Sequence, residues 1–96
     1  MKGNYRVTPE AKLDLRRIYR YGLFKWGEKQ ADKYFFALYE RFDQLVEHPL
    51  IYPAAENVRQ GYRVSVCGVD SIYYCINGSD IEIMAILGRQ GTMDRL

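Results

Sequence analysis

The stretch "YRVSVCGVDSIYYCINGSDIEIMAIL", residues 62–87, decides the fold, because its apolar residues follow the two-residue period of β-strands. One segment within it, 71–76, is apolar on both faces, which is typical of a central strand. The dipeptide Asn77-Gly78 is a strong signal for a tight hairpin turn. The stretch therefore predicts a three-stranded antiparallel meander. Its predicted strands are 62–67, 71–76 and 81–87.

The first turn of the meander determines which side chains face one another. A turn centred on Val69 places Cys67 opposite Ser71, and Cys75 opposite Arg63. The two cysteines are then not cross-strand partners, so the geometry of a disulfide argues against a bond between them. The alternation also places Arg63 away from the apolar side chains of its strand, where it is exposed or covered by a partner.

Two helices are predicted ahead of the meander. The first begins at "TPE", residues 8–10, because threonine caps helices, proline suits the first helical position and glutamate favours the positive end of the helix dipole. The second ends near His48, since Pro49 disfavours helical backbone at the residue before it. Gly27 separates the helices, so we expect an antiparallel helical hairpin. The predicted helices are 9–24 and 28–47.

A short strand candidate, "NYRV" at residues 4–7, precedes the helices. The predicted order of elements is therefore β-α-α-β-β-β, and the first strand joins the edge of the sheet. A helical hairpin packed on one face of a small antiparallel sheet makes this an α+β fold.

Length and composition restrict the function classes. The 96 residues predict a single domain, 1–96, and the net charge of +2 is too small to indicate sequence-specific nucleic-acid binding. Two cysteines outside any CxxC motif and one histidine indicate neither a metal site nor a thiol nucleophile. The first residues contain no apolar stretch typical of a signal peptide, and no run reaches the about 18–20 apolar residues of a membrane span, so we expect neither feature. We expect a cytoplasmic protein with no cofactor and no membrane contact.

Several short motifs occur in an order that resembles the ParE branch of the RelE/ParE toxin superfamily, and the resemblance spans nearly the whole chain. Each motif is weak alone, whereas their order and spacing together are specific. The motifs are the Pro9-Glu10-Ala11 helix start, Asp14-Leu15, Trp26-Gly27, Gln30-Ala31, the Pro49 stop, Gly61-Tyr62-Arg63 and Met93-Asp94.

This resemblance implies a toxin of a type II toxin–antitoxin pair, with a role in plasmid or chromosome maintenance. Such toxins are held inactive by an antitoxin encoded beside them, sometimes in higher-order assemblies. ParE-like members poison DNA gyrase without being enzymes, whereas RelE-like members cut mRNA on the ribosome. A third alternative is a homologue with weak or no gyrase activity. The fold alone does not separate these alternatives.

The C-terminal segment "GRQGTMDRL", residues 88–96, is predicted to contact the target. It holds no group that exchanges a proton near neutral pH, so it indicates a contact segment with no catalytic residue. Arginine side chains suit docking on carboxylates or phosphates. The predicted target-contact residues are Arg63, Arg89, Met93, Asp94 and Arg95.

The ribonuclease alternative requires a general base, a general acid and cations around a phosphate. Arg63 and Arg89 are the candidates for a phosphate clamp. However, no Tyr or His follows Tyr74, and His48 is expected to be exposed at the end of its helix. The sequence therefore favours the binding toxin over the ribonuclease.

The apolar second face of 71–76 is the predicted binding site for an antitoxin tail that is disordered when free. The tail would fold on it as a helix or as an added strand. The alternative is a second core layer, in which the loop at 49–60 covers this face. The predicted antitoxin-binding residues are Ile72, Tyr73, Tyr74, Ile76, Leu15 and Tyr19.

Overall fold

The computed structural model describes residues 3–88. It confirms the α+β class and the predicted order of elements. The first helix extends to Trp26, slightly beyond its predicted end. The elements are β1 (Tyr5–Val7), α1 (Pro9–Trp26), α2 (Glu28–Glu47), β2 (Arg63–Cys67), β3 (Asp70–Asn77) and β4 (Asp80–Gly88).

The four strands form one sheet in the order β1-β4-β3-β2. The meander is antiparallel and β1 lies at the edge, as predicted, but β1 runs parallel to β4. The sheet is therefore mixed, which corrects the expectation of a wholly antiparallel one. The direction of β1 follows from its exit: the N–H of Thr8 bonds to the carbonyl of Ile83 at 3.1 Å, and α1 then continues along β4.

The predicted register of the first hairpin is wrong by one residue. Its turn has two residues, 68–69, so that Cys67 pairs with Asp70 and Arg63 pairs with Tyr74. The glycine of this turn has a φ of +62°, which permits the tighter connection. Both cysteines of the chain are free.

The second hairpin differs in the other direction, because it turns one residue later than predicted. Asn77 pairs with Asp80, and the turn consists of Gly78 and Ser79. The positive φ of +64° falls on Gly78, at the first turn position.

The helical hairpin is held by short-range contacts. The Thr8 side chain caps α1 by accepting the N–H of Ala11 at 3.2 Å. Gly27 alone separates the helices and has a φ of +92°. Near the connection, a Cβ added to Gly22 would lie 3.2 Å from the Cβ of Ala31. The glycine therefore allows α1 and α2 to approach closely.

The main core lies between the hairpin and the sheet. A β-bulge shapes it, because Tyr73 pairs with Ala85 and Tyr74 pairs with Ile83, leaving Met84 unpaired. The bulge changes the alternation, so that isoleucines three positions apart in β4 both face the helices. The buried residues of this core are Ala11, Leu15, Ile18, Leu38, Phe42, Leu45, Cys67, Ile72, Tyr74, Ile81, Ile83 and Ile86.

The other face of the sheet is covered by the loop between α2 and β2. The N–H of Ala55 bonds to the carbonyl of Tyr62 at 2.7 Å, and the N–H of Val64 bonds to the carbonyl of Pro53 at 3.1 Å. The expectation of an open second face was therefore wrong, and the alternative of a second core layer describes the structure. Its buried residues are Ala55, Tyr62, Tyr73, Ala85 and Leu87.

A buried carboxylate joins α1 to β4 where β1 has ended. Asp14 is 2% exposed, and its Oδ2 accepts the N–H of Ile86 at 3.0 Å. The guanidinium of Arg17 donates to the carbonyl of Ile86 at 2.9 Å and lies 3.7 Å from Asp14 Oδ1. Thr8 Oγ1 lies 3.4 Å from the carbonyl of Met84. Side chains of α1 therefore replace a strand along the outer edge of β4.

Replacing Asp14 should show how much the fold depends on this contact. Asp14→Ala leaves the N–H of Ile86 buried without its acceptor, which we expect to lower the free energy of unfolding by about 2 kcal/mol. Asp14→Asn keeps an acceptor oxygen and should cost clearly less. Urea unfolding measures both changes, with Glu40→Ala, an exposed change on α2, as control. Equal stability of the Ala variant and the wild type would contradict the assignment.

Candidate functional site

Most of the predicted target-contact set lies beyond the described part of the chain. Arg89, Met93, Asp94 and Arg95 follow Gly88, the last described residue. Their role stays a prediction.

Arg63 is the one member of that set within residues 3–88. It faces away from Tyr62 and Val64, as predicted, but it is half-buried instead of exposed. Its guanidinium donates to the carbonyl of Tyr52 at 2.6 Å. Arg63 therefore serves to hold the loop before β2, which weakens its assignment to a phosphate clamp with Arg89.

The predicted antitoxin-binding residues of β3 offer little surface. Ile72 and Tyr74 are fully buried in the main core, and the hydroxyl of Tyr74 donates to the carbonyl of Pro49 at 2.7 Å. Tyr73 is buried beneath the loop before β2. Ile76 is 38% exposed and is the member of this strand set that a partner can reach.

Leu15 and Tyr19 lie in a groove between the two helices. The groove has a volume of about 610 Å³ and is open along one side of the hairpin. We call it the interhelical groove. Its lining residues are Lys12, Leu15, Arg16, Tyr19, Arg20, Asp32, Phe35, Phe36 and Tyr39.

The floor of the interhelical groove is aromatic, and its rings pack against one another. Tyr19 packs edge-on against Phe35 with centroids 5.3 Å apart, and Phe35 lies 5.1 Å from Tyr39. The hydroxyl of Tyr19 donates to Asp32 at 2.5 Å, which ties α1 to α2 across the groove. This hydrogen bond raises the pKa of the Tyr19 phenol, so Tyr19 stays a neutral donor.

The rim of the groove is cationic. Lys12, Arg16 and Arg20 are exposed and recur every four residues, so they form one line along α1. The lining carboxylate, that of Asp32, is already bonded to Tyr19. The groove therefore fits a segment that is apolar on one face and acidic at its margins. The sequence shows these cations on one helix face through their four-residue spacing, but that spacing predicts only a solvated face, so they were not assigned to a site.

A second arrangement that the sequence analysis missed lies at the end of the hairpin. The hydroxyl of Tyr34 donates to the buried Asp70 at 2.7 Å, lies 2.9 Å from the carbonyl of Cys67 and accepts the N–H of Val69 at 3.2 Å. Burial, together with the bond to Asp70, raises the pKa of Tyr34. The ring of Trp26 packs on that of Tyr34 with centroids 5.9 Å apart. This network fixes the start of α2 to the turn between β2 and β3.

Within 3–88, no group of three or more His, Cys, Asp and Glu side chains is placed to hold a metal ion. His48 is exposed at the end of α2, as predicted. Among the described helices, none is both long and apolar enough to cross a membrane.

The architecture has a counterpart among solved structures. A solved structure described as "Chromosomal ParDE TA system from P. aeruginosa" superposes with a TM-score of 0.78, covering 92% of this chain and 96% of that one. The two are 21% identical, so this likeness shows the fold alone.

The family follows from the sequence comparisons. The family described as "ParE toxin of type II toxin-antitoxin system, parDE" matches residues 5–93. The chain therefore belongs to the ParE toxin family of type II toxin–antitoxin systems. It is 35% identical over 83 residues to Toxin ParE1 of Caulobacter vibrioides, covering 86% of this chain and 85% of that protein. It is also 28% identical over 96 residues to Toxin ParE1 of Mycobacterium tuberculosis, covering 99% and 98%.

Removing the hydroxyl of Tyr34 or of Tyr19 should show how much each hydrogen bond contributes to the free energy of unfolding. Tyr34→Phe removes a bond to a buried carboxylate and should cost about 2 kcal/mol of unfolding free energy. Tyr19→Phe removes the bond to the more accessible Asp32 and should cost much less. Because the pKa of Tyr34 is higher in the folded protein, its contribution is complete below pH about 10 and declines above it. Urea unfolding between neutral pH and pH about 11 should therefore show a smaller alkaline loss for Tyr34→Phe than for the wild type.

Proposed function

We propose that this protein inhibits bacterial growth by binding a protein target, DNA gyrase, and that a cognate antitoxin neutralises it by docking in the interhelical groove. Membership of the ParE toxin family supports the toxin role. The observation that carries the antitoxin part is the groove itself, which combines an aromatic floor with a rim of three cations.

The chemistry of the groove defines the docking segment. Phe36 lines it and is 66% exposed, so it presents an aromatic anchor that has no core function. Arg16 and Arg20 can pair with carboxylates at the margin of the segment. An acidic tail that is disordered when free and folds as an amphipathic helix satisfies both requirements. Tyr19 remains a member of this proposed site, and Leu15, which is 3% exposed, lies beneath the groove. Ile72 and Tyr74 are buried in the main core and do not line the groove.

Binding is favoured over RNA cleavage as the mode of action. Arg63, which the cleavage alternative would use on a phosphate, bonds to the carbonyl of Tyr52. His48 stands alone and exposed at the end of α2. The proposed contact with the target runs through residues 89–96, whose two arginines can engage an acidic or phosphate-bearing surface.

Controlled expression in a bacterial host tests the mode of action. We expect filamentation and a DNA-damage response on induction, and accumulation of cleaved DNA when purified protein is added to gyrase and plasmid. Deleting residues 89–96 should abolish both effects and leave antitoxin binding nearly unchanged. Abrupt translation arrest with position-specific mRNA cleavage would support the ribonuclease alternative instead, and no growth effect would support a toxin homologue without activity.

Calorimetric titration with the antitoxin encoded beside this gene tests the groove. Phe36→Ala removes a central anchor and should weaken the affinity by roughly thirtyfold, equivalent to about 2 kcal/mol. Arg16→Glu acts at the solvated rim and should weaken it by roughly threefold to tenfold, with a smaller response to added salt. Lys29→Glu is the matched control, since it changes the same charge on α2 outside the groove. Unchanged affinity in both groove variants would place the antitoxin elsewhere.

A further inference from the structure

The outer edge of β2 is a place where another polypeptide could pair with the sheet. β2 is the last strand in the order β1-β4-β3-β2, so β3 lies on its inner side and no strand follows on its outer side. An uncovered strand edge is a template for pairing with a second chain, and proteins generally cover or interrupt it. The contacts along this edge therefore decide whether the protein stays separate from its own copies.

The loop before β2 covers the first half of the edge. Ala54 forms an antiparallel bridge with Arg63, and the N–H of Val64 bonds to the carbonyl of Pro53 at 3.1 Å. The loop thus acts as a very short additional strand beside β2. The next residue of β2 whose backbone groups point outward is Val66, because alternate residues of a strand direct these groups to the same side.

Arg41 of α2 takes the place of a strand at Val66. Its Nη1 donates to the carbonyl of Val66 and to Oγ of the buried Ser65, both at 2.7 Å. The guanidinium also lies over the ring of Tyr52, 5.5 Å from the centroid. Tyr52 is in turn held by Arg63, which donates to its carbonyl. Arg41 is therefore fixed at the edge by contacts with both the strand and the loop.

The segment beside Arg41 has a composition that favours pairing with copies of itself. Residues 64–69, "VSVCGV", contain three valines, no proline and no charged residue. Short uncharged segments rich in β-branched residues associate readily when their edge is exposed. Val66 is 62% exposed and Val69 is 68% exposed, which adds apolar surface beside the edge. Two copies of this segment meet without like charges facing each other, so a second copy of the chain fits this edge.

We propose that Arg41 prevents this protein from pairing with a second copy of itself along β2. Without the guanidinium, the outward carbonyl of Val66 becomes available, and two β2 strands can pair antiparallel across a two-fold axis. The opposite edge of the sheet is completed in a similar way, because Asp14 and Arg17 bind the backbone of Ile86 beyond the end of β1. Helix side chains thus close both outer edges where a neighbouring backbone segment ends.

The test replaces Arg41 in the full chain. Arg41→Met removes the donors and keeps the apolar length of the side chain. At about 100 μM we expect this variant to form dimers and larger species in light scattering after size exclusion, with self-association at least about tenfold tighter than in the wild type. Arg41→Lys keeps a charged donor and should remain close to the wild type.

Two further variants distinguish an opened edge from a general loss of stability. Ile83→Val removes a methylene from the main core, far from the β2 edge in the sheet order, so it should lower stability without causing association. Val66→Lys, added to Arg41→Met, places a charge on the exposed side chain of the edge strand. It should restore the monomer, while urea unfolding still shows the lower stability of Arg41→Met.

Several outcomes would overturn the proposal. They are a monomeric Arg41→Met variant, equal association of Ile83→Val, and association of Arg41→Met that Val66→Lys does not reverse. A wild type that associates as strongly as Arg41→Met would show that the edge is not closed. A monomeric Arg41→Met variant with a higher affinity for the antitoxin would assign the edge to an extended antitoxin segment instead of a second copy.

Discussion

The outer edge of β4 needs hydrogen-bond partners along its whole length, and a three-residue β1 supplies them only as far as the pair of Val7 and Ile83. Beyond that point Asp14 and Arg17 bind the N–H and the carbonyl of Ile86. An unpaired peptide group in this buried position would cost about 1–3 kcal/mol. The two side chains therefore fix the rotation of α1 on the sheet, and with it the position of the whole hairpin.

Once α1 is fixed in this way, its remaining surfaces are assigned to separate tasks. The stripe containing Leu15 and Ile18 faces the sheet, and the line of cations from Lys12 to Arg20 borders the interhelical groove. A single helix thus supplies part of the core and part of the proposed antitoxin site. Because both surfaces share one rigid element, a change in the buried contact of Asp14 would disturb them together.

The sequence predicted the order of the helices and strands from local signals, although it missed the register of both hairpin turns by one residue. The cap at Thr8 and the two-residue period after Gly61 were enough for the helical hairpin and the meander. What it did not predict depends on distant contacts. Nothing in the local sequence around Asp14 indicates that its carboxylate is buried. The loop that covers Tyr73 is irregular, so no hydrophobic periodicity predicts its position. Arg63 was placed on the correct face, but its bond to a loop carbonyl could be seen only in three dimensions.

The parallel pairing of β1 with β4 joins residues such as Arg6 and Glu82, which are 76 positions apart, whereas α1 and α2 meet within one hairpin. Local contacts form faster than distant ones. During synthesis on the ribosome, all residues that line the interhelical groove therefore emerge long before β4. The end of the sheet near Gly88 is complete only after β4 has emerged. We expect a nascent chain to offer the groove to an antitoxin before it can present a finished surface to its target. Antitoxin binding to ribosome-stalled chains that end before Asp80 tests this order of events. If such chains do not bind the antitoxin, the groove does not form before β4.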